Sequence, residues 1–401
     1  DSPSARAVAG ALRLDTLVVA PAGNDGQAGP GYGSISGPGG SRAALTVGAA
    51  DLRDSSATVH LVLRTGLGVF FDRQVPLAGA VAPKESLSLR VGAPPLSQGA
   101  LEQGVTPKLG EFFDENGYSF VAGKAALVPA GADPGYAASQ AAKAGARAVV
   151  LFGDTLPAAG IGLDETVTVP VLSIPEENGR RLLDELESGR QVVASLSTAT
   201  AEQQDDEGRV APFSSRGLAF DGFVKPDLVA PGVGLLTADA GKAEDGSPRY
   251  SSVSGSSAAA AVVAGAAALL AQARPELDAS ALKGLLAGSA RALPRESVAG
   301  QGAGLLDVGA ASAGESAALP TTLSFGRATR AEGWHSTQRL VLRNLSSRRL
   351  RIEIATDQRD RGGARGLIFA FAPSRIRIPS GGVTTVYVAV RTLAPIGDPV
   401  E

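Results

Sequence analysis

The sequence predicts an α/β fold in which a parallel sheet with flanking helices is interrupted by an α+β insertion and followed by an all-β sandwich. Three observations predict this organisation. Short apolar runs alternate with helical segments near the start and again from Val210, as in parallel strands joined by crossover helices. Between these regions lies a compact segment with its own strands and helices. After Leu319, short strand patterns are separated by polar turns.

These changes of pattern predict three domains. A discontinuous α/β domain comprises residues 1–52 and 208–315. An insertion at 53–207 contains the compact α+β unit, at about 118–197, and residues 316–401 form the β-sandwich. The polar run from Glu202 to Gly208 predicts a linker at the end of the insertion.

The first elements are predicted from capping and apolar runs. Ser4–Leu12 is predicted as a helix, with Ser2 or Ser4 as its N-cap. The compact apolar run Thr16–Ala20 predicts a buried strand, and Ala43–Ala50 predicts a second one after a Gly-rich loop.

The insertion begins with the alternating strand pattern His60–Phe71 and a loose Pro/Gly-rich stretch to about Gly117. The α+β unit that follows has four predicted strands and two predicted helices. The strands are Phe120–Pro129, Ala146–Phe152, Thr168–Ile174 and Gln191–Ser197, and the helices are Tyr136–Ala144 and Glu176–Ser188.

The remaining elements follow from Val210 onward. Ala258–Ala273 predicts a helix that ends before Pro275, and Asp278 or Ser280 caps a second helix to about Ala290. Five strands are then predicted, over Thr322–Phe325, Gln338–Leu342, Leu350–Ala355, Ile376–Ile378 and Thr384–Val390. A basic cluster of Arg343, Arg348, Arg349 and Arg351 predicts a solvated strand face.

Composition excludes several classes of protein. The chain has 37 basic and 40 acidic residues, a net charge of −3, so nothing favours a nucleic acid or an acidic membrane as partner. It has no cysteine, which excludes disulfides and thiolate metal sites. The longest apolar run, Ala258–Ala271, is too short and Ala-rich for a transmembrane segment. No cluster of residues predicts a metal site.

Two distant motifs could supply an acyl-transfer site. Asn24 lies in a Gly-flanked turn after the first strand, where its amide could donate to an oxyanion. Ser257 lies at the start of the Ala-rich helix, where free N–H groups favour developing negative charge. Taken separately, the serine motif favours a helix cap over a nucleophile, and the Asn24 motif favours an ordinary turn over an oxyanion donor.

Taken together and in order, these motifs resemble the subtilisin-like serine proteases (subtilases, peptidase S8 family). The most specific stretch is Lys225-Pro226-Asp227 followed by Ala230-Pro231-Gly232. The other stretches that carry the resemblance are Val18 to Gly26, Thr46 to Ala50, Pro212 to Gly217, Tyr250 to Leu270 and Gly302 to Asp307.

The resemblance implies a serine endopeptidase acting on protein or peptide substrates. Ser257 is the implied nucleophile and Asn24 the implied oxyanion donor, while Ala22, Gly23 and Gly255 approach the substrate backbone. No cofactor is implied beyond structural calcium, for which no ligands are assigned. A secreted or cell-envelope location is implied as well.

The insertion and the tail carry resemblances of their own. Residues of about 118–197 resemble a protease-associated (PA) domain, which implies a role in substrate access or protein binding. Residues 316–401 resemble a fibronectin type III-like sandwich, on strand pattern and position.

The sequence departs from the family pattern at the helix that carries Ser257. Ser256 replaces a threonine, Ala258 a methionine, Ala261 a proline and Val262 a histidine.

The larger departure concerns the catalytic Asp and His, which precede the Asn motif in the family. Only 23 residues precede Asn24, and none is histidine. His60 and His335 are predicted to be ordinary strand residues. We therefore expect a truncated chain that lacks the N-terminal half of its catalytic domain and is inactive alone. The alternative is a non-catalytic protein-binding member of the family.

Overall fold

A computed structural model describes most of the chain. The described residues are 2–26, 33–35, 37–79, 81–97, 99, 105–131, 133–153, 156, 161, 163, 167–203, 208–220, 222–242, 246–325, 334–356 and 367–392. They divide into two compact units. The first unit comprises Asp1–Asp51, Gly208–Gly232 and Ser256–Glu401, and the second comprises Leu52–Glu207 and Val233–Gly255.

The chain begins with helix α1 (Pro3–Arg13) and the parallel strands β1 (Val19–Pro21) and β2 (Leu45–Asp51). Ser2 caps α1 by accepting a hydrogen bond from the Ala5 N–H, which confirms the predicted helix and its N-cap. Val8 of this helix packs with Ala20 of β1, so the amphipathic helix covers the first strand.

The second unit is built on one large sheet that contains more strands than predicted. Its strands are β3 (Ser55–Thr65), β4 (Gly68–Pro76), β5 (Leu87–Gly92), β6 (Ala125–Pro129), β7 (Ala148–Gly153), β8 (Val171–Pro175), β9 (Val192–Leu196) and β10 (Thr200–Gln203). Strands β6, β7 and β8 are parallel; helix α2 (Pro134–Lys143) connects β6 to β7, and helix α3 (Glu176–Glu187) connects β8 to β9.

Alternate residues of the central strands face opposite sides of the sheet, and each side has its own apolar core. In β6, Ala125 and Leu127 pack with α3 residues, whereas Ala126 and Val128 pack with α2 residues. The two helices therefore cover opposite faces of the sheet. Leu87–Gly92 is a strand where a loose stretch was predicted, because its alternating residues join this sheet beside β6 and β9.

The chain then returns to the first unit. It forms β11 (Arg209–Val210), β12 (Gly217–Leu218), β13 (Val224–Lys225) and β14 (Leu228–Pro231). Strand β14 pairs parallel to β2 on the side away from β1, and β11 pairs antiparallel to the end of β2. Glu202 and Gln203, predicted as linker, belong to β10; the rest of that run, 204–207, lies outside the described residues.

An antiparallel hairpin in the second unit precedes the Ala-rich helix. Its strands are β15 (Leu235–Lys242) and β16 (Pro248–Val253). The hairpin was not predicted.

Four helices follow in the first unit: α4 (Ser256–Ala273), α5 (Ala279–Gly288), α6 (Val298–Gln301) and α7 (Val308–Ala313). Helix α4 packs across β1, β2 and β14, and Asp278 caps α5 as predicted. Within the described part of the chain, α4 alone is long and apolar enough to cross a membrane, a property that the core helices of soluble proteins share.

The C-terminal region is rich in strands. Its elements are β17 (Ser316–Leu319), β18 (His335–Asn344), β19 (Leu350–Glu353), β20 (Leu367–Ala372), β21 (Arg375–Ile378) and β22 (Val383–Thr392). One sheet has the order β17-β18-β22-β20, and β19 pairs with β21 in a second sheet. Leu342, Ile376 and Val386 share one core, so the two sheets pack face to face.

The predicted strand Thr322–Phe325 is wrong. The Thr321 hydroxyl donates to the Asp227 carboxylate, and Ser324 Oγ accepts a hydrogen bond from the Val224 N–H. This segment therefore bonds to the 224–227 segment instead of joining the sheet.

Candidate active site

The Asn24 turn begins where β1 ends. Gly23 has a φ of +115°, a conformation that a residue with a Cβ rarely adopts. This turn directs the chain from the buried strand to the surface, where Asn24 is exposed.

The Asn24 side chain is held by the residue before the predicted nucleophile. Its Oδ1 accepts hydrogen bonds from the Ser256 backbone N–H at 2.8 Å and from the Ser256 hydroxyl at 3.0 Å. A backbone N–H can only donate, so the oxygen of the amide must face Ser256. No described residue accepts from the Asn24 Nδ2 group, which leaves its N–H groups available to a ligand.

Ser256 also bonds to the backbone of the turn that carries Asn24. Its hydroxyl accepts a hydrogen bond from the Gly23 N–H at 3.1 Å, and the residue is fully buried. A single hydroxyl thus joins the start of α4 to the turn that carries Asn24, 232 positions away in the sequence.

Ser257, the next residue, has the opposite environment. It is exposed in the first turn of α4, and among the described residues none forms a hydrogen bond with its hydroxyl. The N–H groups of the first helical turn have no partner within the helix. The Ser257 N–H and the Asn24 amide could therefore donate to one anionic oxygen.

Hydrogen bonds from the segment 213–215 hold the Asn24 turn in place. Ser215 Oγ accepts a hydrogen bond from the Asp25 N–H at 3.1 Å, and the Gly26 N–H donates to the Phe213 carbonyl at 2.7 Å. The Ser215 N–H donates in turn to the Gly23 carbonyl at 3.0 Å. These three bonds fix the backbone on both sides of Asn24.

The predicted substrate-binding positions lie around this turn and the start of α4. Ala22 is fully buried, and its N–H donates to the Val47 carbonyl at 2.9 Å. Gly255 is buried immediately before α4. The N–H of Gly23 is used by Ser256, so a substrate would have to bond with other backbone groups here.

Both histidines lie on strands, as predicted. His60 Nε2 lies 2.6 Å from Asp72 Oδ1 across the β3–β4 pair, with about half of each side chain exposed. His335 is the first residue of β18. Within the described ranges, no three His, Cys, Asp or Glu residues lie close enough together to hold a metal ion, so calcium ligands remain unassigned.

The Lys225-Pro226-Asp227 motif forms a buried ionic cluster. Lys225 Nζ lies 2.7 Å from Asp227 Oδ2, and Lys283 Nζ of α5 lies 3.9 Å from the same oxygen. Both ammonium groups also donate to the Ala44 carbonyl, and the Thr46 N–H donates to Asp227 Oδ2 at 2.8 Å. The motif therefore fastens β2 and α5 together and is not placed to perform chemistry.

Burial sets the charge states of this cluster. It raises the pKa of Asp227, but the charges of Lys283 and Lys225 and the hydrogen bonds from Lys225 and Thr321 outweigh burial and hold that pKa below its ordinary value. Burial lowers the pKa of Lys283 from 10.5 to about 8, with Lys225 adding to the effect and Asp227 opposing it.

Sequence reasoning missed Ser256, Ser215 and Lys283. Ser256 was noted only as the residue that replaces a threonine. The signal that could have found it is its position directly before Ser257, since a helix start presents adjacent residues to different surroundings.

Comparisons with known proteins agree with these motifs. The family model described as "Subtilase family" (Peptidase_S8) matches residues 1–322. The chain is 28% identical to the minor extracellular protease Vpr of Bacillus subtilis (strain 168) over 272 residues, which is 67% of this chain and 31% of that protein. It is 30% identical to the C5a peptidase of Streptococcus pyogenes over 157 residues, which is 39% of this chain and 13% of that protein.

The likeness to solved structures is looser. The psychrophilic subtilisin-like protease Apa1 from Pseudoalteromonas sp. AS-11 shares 14% identity, with a TM-score of 0.29, over 78% of this chain and 67% of that one. The chain spans less than a third of the length of the curated relatives it matches.

Proposed function

This chain belongs to the subtilase family, and on that premise we propose that it carries the nucleophile and the oxyanion donor of a serine endopeptidase. The observation that carries the proposal is the attachment of Asn24 Oδ1 to both donors of Ser256, at 2.8 and 3.0 Å. This attachment leaves the amide N–H groups free beside an exposed serine at a helix start.

In the proposed reaction, Ser257 Oγ attacks the scissile carbonyl of a protein or peptide and loses its proton to a base. The carbonyl oxygen gains negative charge, which the Asn24 amide and the Ser257 N–H stabilise by hydrogen bonds. The protonated base then gives its proton to the leaving nitrogen, so collapse of the intermediate expels the amine and leaves an acyl group on Ser257. Water, activated by the same base, then releases the acid.

The base is the missing component. The sequence contains two histidines, and the partner found for His60 is Asp72, on the adjacent strand β4. We therefore assign the base and its orienting carboxylate to residues outside this chain. Loss of the base costs about 10⁶ in turnover in subtilisin, so the 401 residues alone hydrolyse no peptide.

The remaining assignments belong to the same proposal. The part of the second unit at about 118–197 serves as a protease-associated domain that controls substrate access, and 316–401 serve as a fibronectin type III-like domain. By analogy with Vpr, whose name describes an extracellular protease, the location is extracellular. The alternative, a non-catalytic binding member, is favoured by the alanines that replace larger family residues in α4.

A fluorophosphonate probe and a peptide ester test the proposal, with Ser257→Ala as the control. The chain alone is expected to show neither turnover nor labelling that depends on Ser257. A longer form with a histidine-bearing segment before residue 1 is expected to show both. Turnover by the 401 residues that Ser257→Ala abolishes would place the base within this chain. A longer form that contains the histidine and is not labelled would favour the binding alternative.

A further inference from the structure

The charge of the chain is distributed unevenly. Residues 316–401 contain 13 arginines, no lysine and six acidic residues, a net charge of +7. The other residues carry 24 basic and 34 acidic side chains, a net charge of −10. The near-neutral total therefore conceals a strongly basic region, and such asymmetry points to an anionic partner for that region.

The two-stranded sheet of this region concentrates arginines on its outer face. Leu350, Ile352, Ile376 and Ile378 face the core, so the alternate residues face outward. Arg351 lies directly opposite Arg377 in the β19–β21 register, and both are exposed. Like charges directly opposite each other destabilise a sheet, so folding alone gives no reason for this pair.

The neighbouring carboxylates do not neutralise these arginines. Glu353 is paired with Arg375 at 3.1 Å, and Glu315 is paired with Arg348. Across the described ranges, no carboxylate lies within ion-pair distance of Arg349, Arg351 or Arg377. We define these three residues as the arginine surface.

A groove borders the arginine surface. It has a volume of about 570 Å³, and its lining includes Arg349 and Arg351, the apolar Leu350 and Ile352, and Ala313 and Ser316 near the end of α7. The one carboxylate in its lining, Glu315, is already bonded to Arg348. The groove therefore offers an open, positively charged path beside the strand.

We propose that the arginine surface binds a linear anionic polysaccharide. Arginines ~5 Å apart across the strands and ~7 Å apart along them form a flat array suited to a chain with repeated anionic groups. Each guanidinium can bond two oxygens of a sulfate or carboxylate group.

The composition of this face argues against other polyanions. The outward residues of β19 and β21 are Arg351, Glu353, Arg375 and Arg377, with no aromatic side chain on which a base could stack. The same face has no apolar residue to form the dry centre of a protein interface or to enter a lipid bilayer. A flexible polyelectrolyte can bind through its charges and needs neither aromatic stacking nor an apolar contact.

Binding of fluorescein-labelled heparin to the whole chain tests the proposal, measured by anisotropy at low and moderate salt. Affinity is expected to fall as salt rises. The triple variant Arg349→Gln, Arg351→Gln, Arg377→Gln is expected to bind about tenfold more weakly or worse, because three charge-assisted contacts are lost. Its thermal midpoint is expected to stay the same or rise, since like-charge repulsion is removed.

The matched control removes three exposed arginines elsewhere, by Arg64→Gln, Arg73→Gln and Arg295→Gln. It changes net charge equally and is expected to leave heparin affinity within about twofold. An equal loss of heparin affinity in both variants would show that net charge alone causes the effect, and it would overturn the proposed site. So would the absence of binding, or tighter binding of duplex DNA, polyglutamate or acidic vesicles than of heparin. None of these outcomes depends on whether Ser257 is active.

Discussion

At the scale of single residues, two adjacent serines differ completely in what they contact. Ser256 is buried and bonds to Asn24 and Gly23, whereas Ser257 is exposed. Ser256→Ala removes one bond to Asn24 and leaves the Gly23 N–H without its acceptor. We expect it to lower the free energy of unfolding by about 1–2 kcal/mol, measured by denaturant titration.

Ser257→Ala is the matched control, because it deletes the same hydroxyl one residue later. We expect it to change the free energy of unfolding by less than about 0.5 kcal/mol. Equal losses in the two variants would contradict the assignment of the structural role to Ser256. A large loss from Ser257→Ala alone would mean that its hydroxyl has a partner in solution.

The second prediction at this scale concerns Lys283. Its pKa is about 8 in the folded protein and near 10.5 when unfolded, so the unfolded chain holds more protons between these values. The free energy of unfolding should therefore rise with pH across this window, by up to about 1 kcal/mol per pH unit. Asp227, the carboxylate that faces Lys283, has a lowered pKa and so stays ionised throughout this window.

Lys283→Met isolates this contribution. The variant is less stable overall, because the Arg42 and Ala44 carbonyls lose a donor, but it lacks the titrating group. Denaturant titrations at pH 7.5, 8.5 and 9.5 are expected to show the wild-type advantage growing with pH. A constant difference across the three values would show that Lys283 titrates normally in the folded state.

The sequence predicted Asn24 and Ser257 from motifs, but it could not predict how they are held. Either the Ser256 or the Ser257 hydroxyl could face Asn24. The choice depends on how α4 is rotated about its axis relative to the Asn24 turn, which lies 232 positions away in the sequence. Likewise, Lys225 and Asp227 were recognised together, while Lys283 lies on another helix. Long-range partners of this kind are set by packing, which local patterns do not encode.

At the scale of elements, helix α5 is capped by two carboxylates from different parts of the chain. Asp278 accepts from the Ala281 N–H at 2.8 Å, and Asp15 Oδ1 accepts from the Ala279 N–H at 2.7 Å. Asp15 has a φ of +60°, which suits Asp and Asn better than most residues. Asp15 thus has a structural role at the start of α5.

Substitutions at Asp15 separate its two contributions. Asp15→Asn keeps both the acceptor oxygen and the tolerated backbone and should cost less than about 0.5 kcal/mol. Asp15→Gly loses the cap alone, and Asp15→Ala also loses the tolerance of Asp for the left-handed region, at a total of about 2–3 kcal/mol. Unfolding midpoints should follow that order. If Asn proved as damaging as Ala, the charge of Asp15 would be its main contribution.

Elements with strong local signals were predicted well, and those that depend on pairing were not. The cap at Asp278 and the apolar run before Pro275 placed α4 and α5 closely. The β15–β16 hairpin was missed because its strands contain few core residues, with Leu236 and Tyr250 mostly exposed. Thr322–Phe325 had a strand pattern, yet side-chain bonds to 224–227 compete with sheet pairing there.

At the scale of the whole molecule, both ends of the insertion meet in antiparallel pairs. Asp51 pairs with Arg209 in the first unit, and Ser55 pairs with Gln203 in the second. Each unit also has apolar clusters of its own. A segment whose ends lie side by side can be removed or produced alone without stretching the chain, as in natural domain insertions.

We therefore expect residues 53–203 to fold as an isolated fragment, since they contain the whole β10-β3-β9-β5-β6-β7-β8 sheet and both of its helices. Circular dichroism and thermal unfolding should show one cooperative transition with mixed α/β content. The matched control is a fragment of 53–190, which lacks β9 and the edge strand β10. Because β9 joins β3 to β5, this fragment should lose cooperative unfolding. A non-cooperative 53–203 fragment, or equal behaviour of the two, would show that the insertion needs the rest of the chain to fold.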